Sequence, residues 1–311
     1  MINTLTLNPA IDKVLYLEKL EKNVTSRIQD TAEVIGGKGT HVSINLNILG
    51  KNSKAFGISH GKTGQRIIDA LAKFGVDVRF IHKATPNSRT NYLLVEETGD
   101  CTIIAEKGVQ LSNCDLQDIV SCMKNEIQTN DYLVLSGDAS NSPDTAVYNE
   151  ILTELKDKKL KIFLDTSGDS LKQCITESPF LIKPNLDELS TLCNRALTCD
   201  ENDIVSAIDS LAPYNIEIIA VSLGSAGSII KTSDGIFKAT PPKIRVINTI
   251  GCGDSFLSGL IYGIHNQLST IDMIKLATAV SAATAESSLS VGFKPKRAYE
   301  LISSVTVNKI R

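Results

Sequence analysis

The segment Asn248-Thr-Ile-Gly-Cys-Gly-Asp-Ser-Phe256 sets two glycines, Gly251 and Gly253, around one small residue and places an acid, Asp254, directly after them. Apolar residues then recur at Phe256, Leu257, Leu260, Ile261 and Ile264, the spacing of one helix face, which predicts a helix over 255–265. Glycines let the chain turn tightly, so that successive backbone N–H groups converge at a helix start and can cradle an anion. The acid has two readings. It caps the helix, or it is a base that takes a proton from a hydroxyl beside fixed dipoles, as phosphoryl transfer requires.

Other segments carry chemistry of the same kind. Gly36-Gly-Lys-Gly-Thr-His41 looks superficially like a P-loop, but Ala32 stands where the first glycine is needed and Gly39 where Ser or Thr is needed. What is left is a glycine loop opening a helix at about Thr40, with Lys38 presented either to a negative ligand or to solvent. In Lys183-Pro-Asn-Leu-Asp-Glu188, Asn185 and Glu188 share a helix face; their oxygens suit Mg²⁺ and its waters, or they form a capping box. Ser222, Gly224 and Gly227 follow an apolar run, where they would cradle a nucleotide or turn a hairpin. Asp12 is read as ending the first strand, free to bind sugar hydroxyls, and Arg89 as opening a later strand, able to clamp a phosphate.

Composition excludes much else. Lys and Arg number 32 against 35 Asp and Glu, so no basic surplus attracts nucleic acid or an anionic membrane. Seven cysteines, without a C-x-x-C pair, argue against a disulfide framework and for a reducing, cytoplasmic compartment. The start reads as no signal peptide, and the apolar stretch 271–289 is broken by Asp272, Lys275 and Glu286. His41, His60, His82 and His265 show no metal spacing. There is neither a G-x-S-x-G elbow nor a dinucleotide fingerprint after the first strand.

The elements that would hold these residues alternate. Ile2–Leu7, Tyr132–Leu135, Ile162–Leu164, Phe180–Ile182 and Ile216–Leu223 read as buried strands, and Gly64–Phe74, Asp144–Lys156, Ile204–Leu211 and Ser255–His265 as helices. That order predicts a mostly parallel sheet covered on both faces. Val14–Val34 and Asn91–Glu106 mix apolar and polar residues without a long helix after either. They are read as a small second sheet, a lid over the strand ends where open α/β sheets bind ligands, or else as edge strands.

Taken in order, Thr6-Leu-Asn-Pro-Ala-Ile-Asp12, Gly36-Gly-Lys-Gly39, Ser136-Gly137, Lys183-Pro-Asn-x-x-Glu188, Ser222-Leu-Gly224 and Gly251-x-Gly-Asp-Ser255 resemble the PfkB, or ribokinase-like, sugar kinases over essentially the whole chain. The likeness is strongest to the subgroup of 1-phosphofructokinase and tagatose-6-phosphate kinase. It implies a single domain over 1–311, a three-layer α/β/α fold with a lid at roughly 13–34 and 89–107, and a homodimer through that lid. It implies ATP and Mg²⁺ as cofactors and a ketohexose monophosphate as substrate, fructose 1-phosphate first; a tagatose-6-phosphate kinase and a nucleoside or ribose kinase are the alternatives. By the same resemblance Asp254 is the base and the amides of Gly251, Cys252 and Gly253 stabilise the phosphoryl group. Asp12, Gly37 and Lys38 hold the sugar phosphate, while Arg89 and Arg27 reach its existing phosphate. Asn185 and Glu188 organise Mg²⁺ and the nucleotide phosphates, and Ser222, Gly224 and Gly227 line the ATP site. A non-catalytic sensor on this fold would have no use for the base. Two residues depart from the pattern: Cys252, a thiol open to oxidation inside the cradle, and Asp138, an extra charge beside the sugar site.

Overall fold

The computed structural model describes residues 1–311 except 138, 143, 145, 289 and 290, so Asp138 lies outside the described residues. The strands are β1 (Ile2–Thr6), β2 (Ala10–Leu17), β3 (Ile28–Gly36), β4 (Ser53–His60), β5 (Asp77–Lys83), β6 (Arg89–Glu96), β7 (Cys101–Ala105), β8 (Tyr132–Ser136), β9 (Lys161–Asp165), β10 (Leu181–Ile182), β11 (Ile218–Ser222), β12 (Ser228–Thr232), β13 (Gly235–Thr240) and β14 (Thr306–Lys309). The helices are α1 (Lys38–Ile48), α2 (Gly61–Lys73), α3 (Asn113–Glu126), α4 (Val147–Glu154), α5 (Gly168–Cys174), α6 (Leu186–Leu192), α7 (Glu201–Ser210), α8 (Cys252–His265), α9 (Thr270–Ala285) and α10 (Pro295–Leu301).

Ten strands form one sheet in the order β5-β4-β1-β8-β9-β10-β11-β12-β13-β14. From β5 to β11 the pairing is parallel, and β12 to β14 extend it antiparallel. Successive side chains of the central strands enter opposite cores. Leu133 and Leu135 of β8, Leu164 of β9 and Ile219 of β11 pack with Ile119, Leu189 and Ile208 of α3, α6 and α7. Val134, Phe163 and Ala220 pack on the other face with Val42 of α1, Leu257 and Leu260 of α8 and Ile274 of α9. Burial on both faces is the reason the strands read as unbroken apolar runs rather than alternating ones. Each such Leu or Ile, buried fully, contributes roughly 1.5–3 kcal/mol of transfer free energy.

The small sheet has the order β3-β2-β6-β7, with β2 parallel to β6, so it joins segments about 80 residues apart. It begins at Ala10, earlier than expected, and therefore carries Asp12 itself; Pro9 separates it from β1. Asp12 does not end the first strand but sits on β2 opposite Asn91 of β6. Long helices do follow both parts of this sheet: α1 opens at Lys38, directly after β3, and α3 follows β7. Helix α1 is buried nearly all round, from Gly39 to Leu46, which removes the amphipathic period that would have announced it. Among the described residues no helix is long and apolar enough to cross a membrane, and all seven cysteines are free thiols.

Helices α8 and α9 are in close contact, and a Cβ on Gly259 would lie 2.5 Å from Cα of Ala277. Gly259→Ala must push the two helices apart and should destabilise the protein by about 1–3 kcal/mol, read as a lower urea midpoint at unchanged slope.

Candidate active site

The chain leaves β1 toward the small sheet and returns to pair β4 on one side and β8 on the other. This reversal of strand order opens a crevice at the carboxyl ends of the strands. A cavity of about 440 Å³ lies there, lined by Thr6, Asn8, Ser136, Gly137, Asp165 and Lys183 from the main sheet and its turns, and by Asp12, Arg89, Asn91 and Ile103 from the small sheet. Gly37, Lys38, His41, Asn185, Glu188, Ser222, Ile250, Gly251, Gly253 and Asp254 complete it.

Helix α8 starts at this cavity. Its N-cap, Gly251, has φ 77°, a left-handed conformation that costs a side-chain-bearing residue energy and costs glycine little. The amides of Gly251, Gly253 and Asp254 meet no acceptor among the described residues, which leaves them free for an anion, with the positive end of the helix dipole behind them. Cys252 differs from the expectation: its amide turns toward the Thr249 carbonyl, 3.4 Å away. Its thiol differs too. Burial, with the charge of Asp254, pushes it up to about 12, which disfavours the thiolate.

Asp254 is nearly buried. Its Oδ2 lies 2.7 Å from Nδ1 of His41, while Oδ1 has no partner among the described residues. Asp12 accepts from Asn91 Nδ2 at 2.8 Å. Burial raises the Asp12 pKa from its ordinary 3.8, against the pull of His41, Asn91 and Arg89. Arg89 donates from Nε to the Asn8 carbonyl at 3.1 Å and from Nη1 to the Glu106 carbonyl at 3.3 Å, which fixes its guanidinium at the cavity edge. Asn185 and Glu188 form a reciprocal capping box at α6: Asn185 Oδ1 accepts from the Glu188 amide at 2.8 Å and Glu188 Oε2 from the Asn185 amide at 2.9 Å. One oxygen of Glu188 is thus used in folding, and the other is left for a ligand. Asn185 also bridges to Ser222 at the end of β11. Gly224 and Gly227 form the turn from β11 into its antiparallel partner β12; neither lines the cavity. Arg27 lies on the exposed stretch before β3, outside the lining.

Asp165, Lys183 and His41 also line the cavity, and no local signal in the sequence marks them as site residues. Asp165 ends β9 and is 1 % exposed; its Oδ1 accepts from Lys183 at 3.1 Å and from Lys38 at 3.3 Å. Lys183 is buried as well, and its ammonium lies 3.4 Å from the point where a Gly253 Cβ would be, against the amide cradle. Two ammonium groups are so fixed by one acid between the cradle and the sheet. Burial works against the Asp165 charge, but Lys183 and Lys38 outweigh it and hold the carboxyl below its usual 3.8. For Lys38, the charge of Asp165 overcomes burial and raises the pKa, with Asp254 and Glu188 adding to it. Asp165→Asn leaves both ammonium groups without this counter-ion and should cost about 3–5 kcal/mol in urea unfolding at pH 7. A depressed pKa gives stability that is complete above the unfolded value and drains away as pH falls through the folded one. The variant should therefore lose less stability than the parent between pH 4 and pH 2.

Residues 5–297 match the model for the pfkB family carbohydrate kinases. A tagatose-6-phosphate kinase of Staphylococcus epidermidis is 32% identical over 281 residues, 90% of this chain and 90% of that protein. A 1-phosphofructokinase of Borreliella burgdorferi is 32% identical over 286 residues, 92% of each. Phosphofructokinase-2 of Escherichia coli, crystallised with substrates and products, shares the fold at a TM-score of 0.90 and 23% identity, over 97% of this chain and 98% of that one. An acid at a glycine-built helix start, ammonium groups beside it and this breadth of likeness leave one assignment: the chain belongs to the pfkB family of carbohydrate kinases.

Proposed function

We propose that the protein transfers the γ-phosphoryl group of ATP to a hydroxyl of a ketohexose monophosphate, with fructose 1-phosphate as the first-ranked acceptor and tagatose 6-phosphate as the second. The observation that carries this reading is the partnerless Oδ1 of Asp254 at the α8 N-terminus, in one cavity with Lys38, Lys183 and Arg89. The relatives named above act on phosphorylated ketohexoses, and a second phosphate accounts for a guanidinium at the far edge of the cavity.

In this reading Arg89 holds the phosphate already on the sugar. Asp12 and Asn91 hold sugar hydroxyls; Asn91 Oδ1 and Thr6 Oγ1 are buried without a partner among the described residues and would gain one. Asp254 Oδ1 takes the acceptor's proton. The hydroxyl oxygen forms its bond to the γ-phosphorus as the bond to the β,γ-bridging oxygen breaks, and that electron pair leaves on ADP. The free amides of Gly251, Gly253 and Asp254, with Lys38 and Lys183, balance the charge on the equatorial oxygens. Gly37, the N-cap of α1, lets the substrate approach the backbone.

Glu188 and Asn185 would hold Mg²⁺ together with the nucleotide phosphates. No group of three or more His, Cys, Asp or Glu among the described residues could cage a metal. One free carboxylate oxygen on Glu188, beside Asn185, fits an ion that keeps its waters and is held mainly by phosphates. When bound it would neutralise phosphate charge. Ser222 lies beside Asn185 and would border the nucleotide, and the Gly224–Gly227 turn supports it from outside the cavity.

The small sheet would act as a lid that excludes water and so prevents idle ATP hydrolysis. Its exposed Ile28 and Ile104 support pairing with a second copy through the lid, and Arg27, next to Ile28, would then face that copy. Free cysteines agree with a cytoplasmic setting.

ADP release should be measured over fructose 1-phosphate, tagatose 6-phosphate, fructose 6-phosphate, ribose and adenosine. Turnover confined to phosphorylated ketohexoses is expected; a preference for ribose or adenosine would overturn the assignment. Asp254→Asn should lower kcat by about 10²–10⁴ with KM for ATP nearly unchanged. Arg89→Ala should raise KM for the sugar phosphate about 10–100-fold, the worth of a lost charge-assisted contact, and a rise confined to KM for ATP would refute the clamp.

A further inference from the structure

His41 is buried on α1 and is hydrogen-bonded at both ring nitrogens: Nδ1 lies 2.7 Å from Asp254 Oδ2, and Nε2 2.7 Å from the Ile35 carbonyl oxygen. A carbonyl oxygen only accepts, so Nε2 must carry a proton. An ionised carboxylate oxygen also only accepts, so Nδ1 must carry one as well. A neutral ring has one N–H and would set its lone pair against an oxygen at one of these two contacts, unless Asp254 gave up its charge. Geometry alone therefore requires a proton between Nδ1 and Oδ2, and the chemistry of a base requires that the carboxylate stay ionised.

The surroundings favour the charged ring. Asp254 of α8 and Asp12 of β2 face it, and both are acids. Of the other elements packed on α1, β1 carries no titratable side chain and β8 only Tyr132; β3 carries Asp30 and Glu33, the latter paired with Arg66, and β4 carries His60 and Lys54, the latter paired with Glu126. On α1 itself, Lys38 is paired with Asp165. Burial opposes a charge on His41, but the hydrogen bond and charge of Asp254, the charge of Asp12 and the Ile35 carbonyl prevail and raise its pKa above the ordinary 6.5.

We propose that His41 is a positioning residue for phosphoryl transfer: as an imidazolium it pins Oδ2 of Asp254, keeps that side chain a carboxylate, and leaves Oδ1 as the single basic oxygen presented to the acceptor hydroxyl. The proposal rests on the kinase reading above, since it assigns His41 a part in that reaction. A raised histidine pKa keeps the pair intact from low pH up to that value. As pH rises through it, the Nδ1 proton is lost, two lone pairs oppose each other, and the carboxylate loses its hold.

Two measurements test this. In the wild-type protein, the ¹⁵N side-chain resonances of His41, assigned by their loss in His41→Asn, should show both nitrogens protonated at pH 7.5; a neutral, single-tautomer pattern there would overturn the pair. In steady-state kinetics, His41→Leu should lower kcat about 10²-fold with both KM values within about twofold, the cost of a misplaced reacting group. His41→Asn offers an amide N–H to Oδ2 without titrating; it should recover most of that loss and lack the alkaline decline in kcat expected of the parent. An unchanged alkaline limb in His41→Asn would refute the role. Absence of turnover on every phosphorylated ketohexose, with the imidazolium pattern intact, would instead sink the kinase reading and spare the pair.

Discussion

Four carboxylates that repel one another, Asp12, Asp165, Glu188 and Asp254, line one half-enclosed cavity, and three cations and a histidine stand among them. That balance is the constraint on which the rest of the site depends. Charges withdrawn from water are costly unless each meets an opposite charge or a fixed dipole. Here Lys38 and Lys183 meet Asp165, His41 meets Asp254, and one oxygen of Glu188 accepts from a backbone amide at the start of α6. The result is a cavity in which four acids are met by three cations, a histidine and bare backbone amides.

The fold produces this arrangement by reversing strand order next to β1. Residues at the carboxyl ends of β1, β8, β9 and β10 converge there from positions 6, 136, 165 and 183, and α8 delivers its N-terminus to the same place. The small sheet is the remaining wall. Because β2 and β6 pair in parallel, Asp12 and Asn91 stand opposite one another and are hydrogen-bonded, with Arg89 at the start of the same strand as Asn91. Catalysis in such a site is positioning and charge compensation, with little covalent work left to the protein.

Much of this was legible in the residues. Parallel strands between covering helices followed from short apolar runs alternating with amphipathic ones, and the second sheet from two mixed strand-like segments without that alternation. The glycine–acid segment could be read as a helix start, which it is, and of the two readings of the Asn185–Glu188 pair the capping box is the one the fold forms. The start of α1 lies two residues before the Thr40 that the local pattern suggests, because a helix buried on every side has no polar face to set its period. Asp12 belongs to β2 and not to the first strand, and nothing local in the sequence marks that another sheet starts directly after Pro9.

Residue type and local spacing act over a few positions along the chain, so they show which segments are helical, roughly where those helices begin, and which strands are buried. They could not say that Asp165 would stand between Lys38 and Lys183, or that His41 would close on Asp254 across 213 residues of sequence. Those pairings are made only when β9 and β10 lie side by side and α1 packs on α8. A lone acid or histidine in a sequence carries no mark of its partner, because Coulomb attraction and hydrogen bonding depend on distance in space, and that distance is set by the tertiary fold.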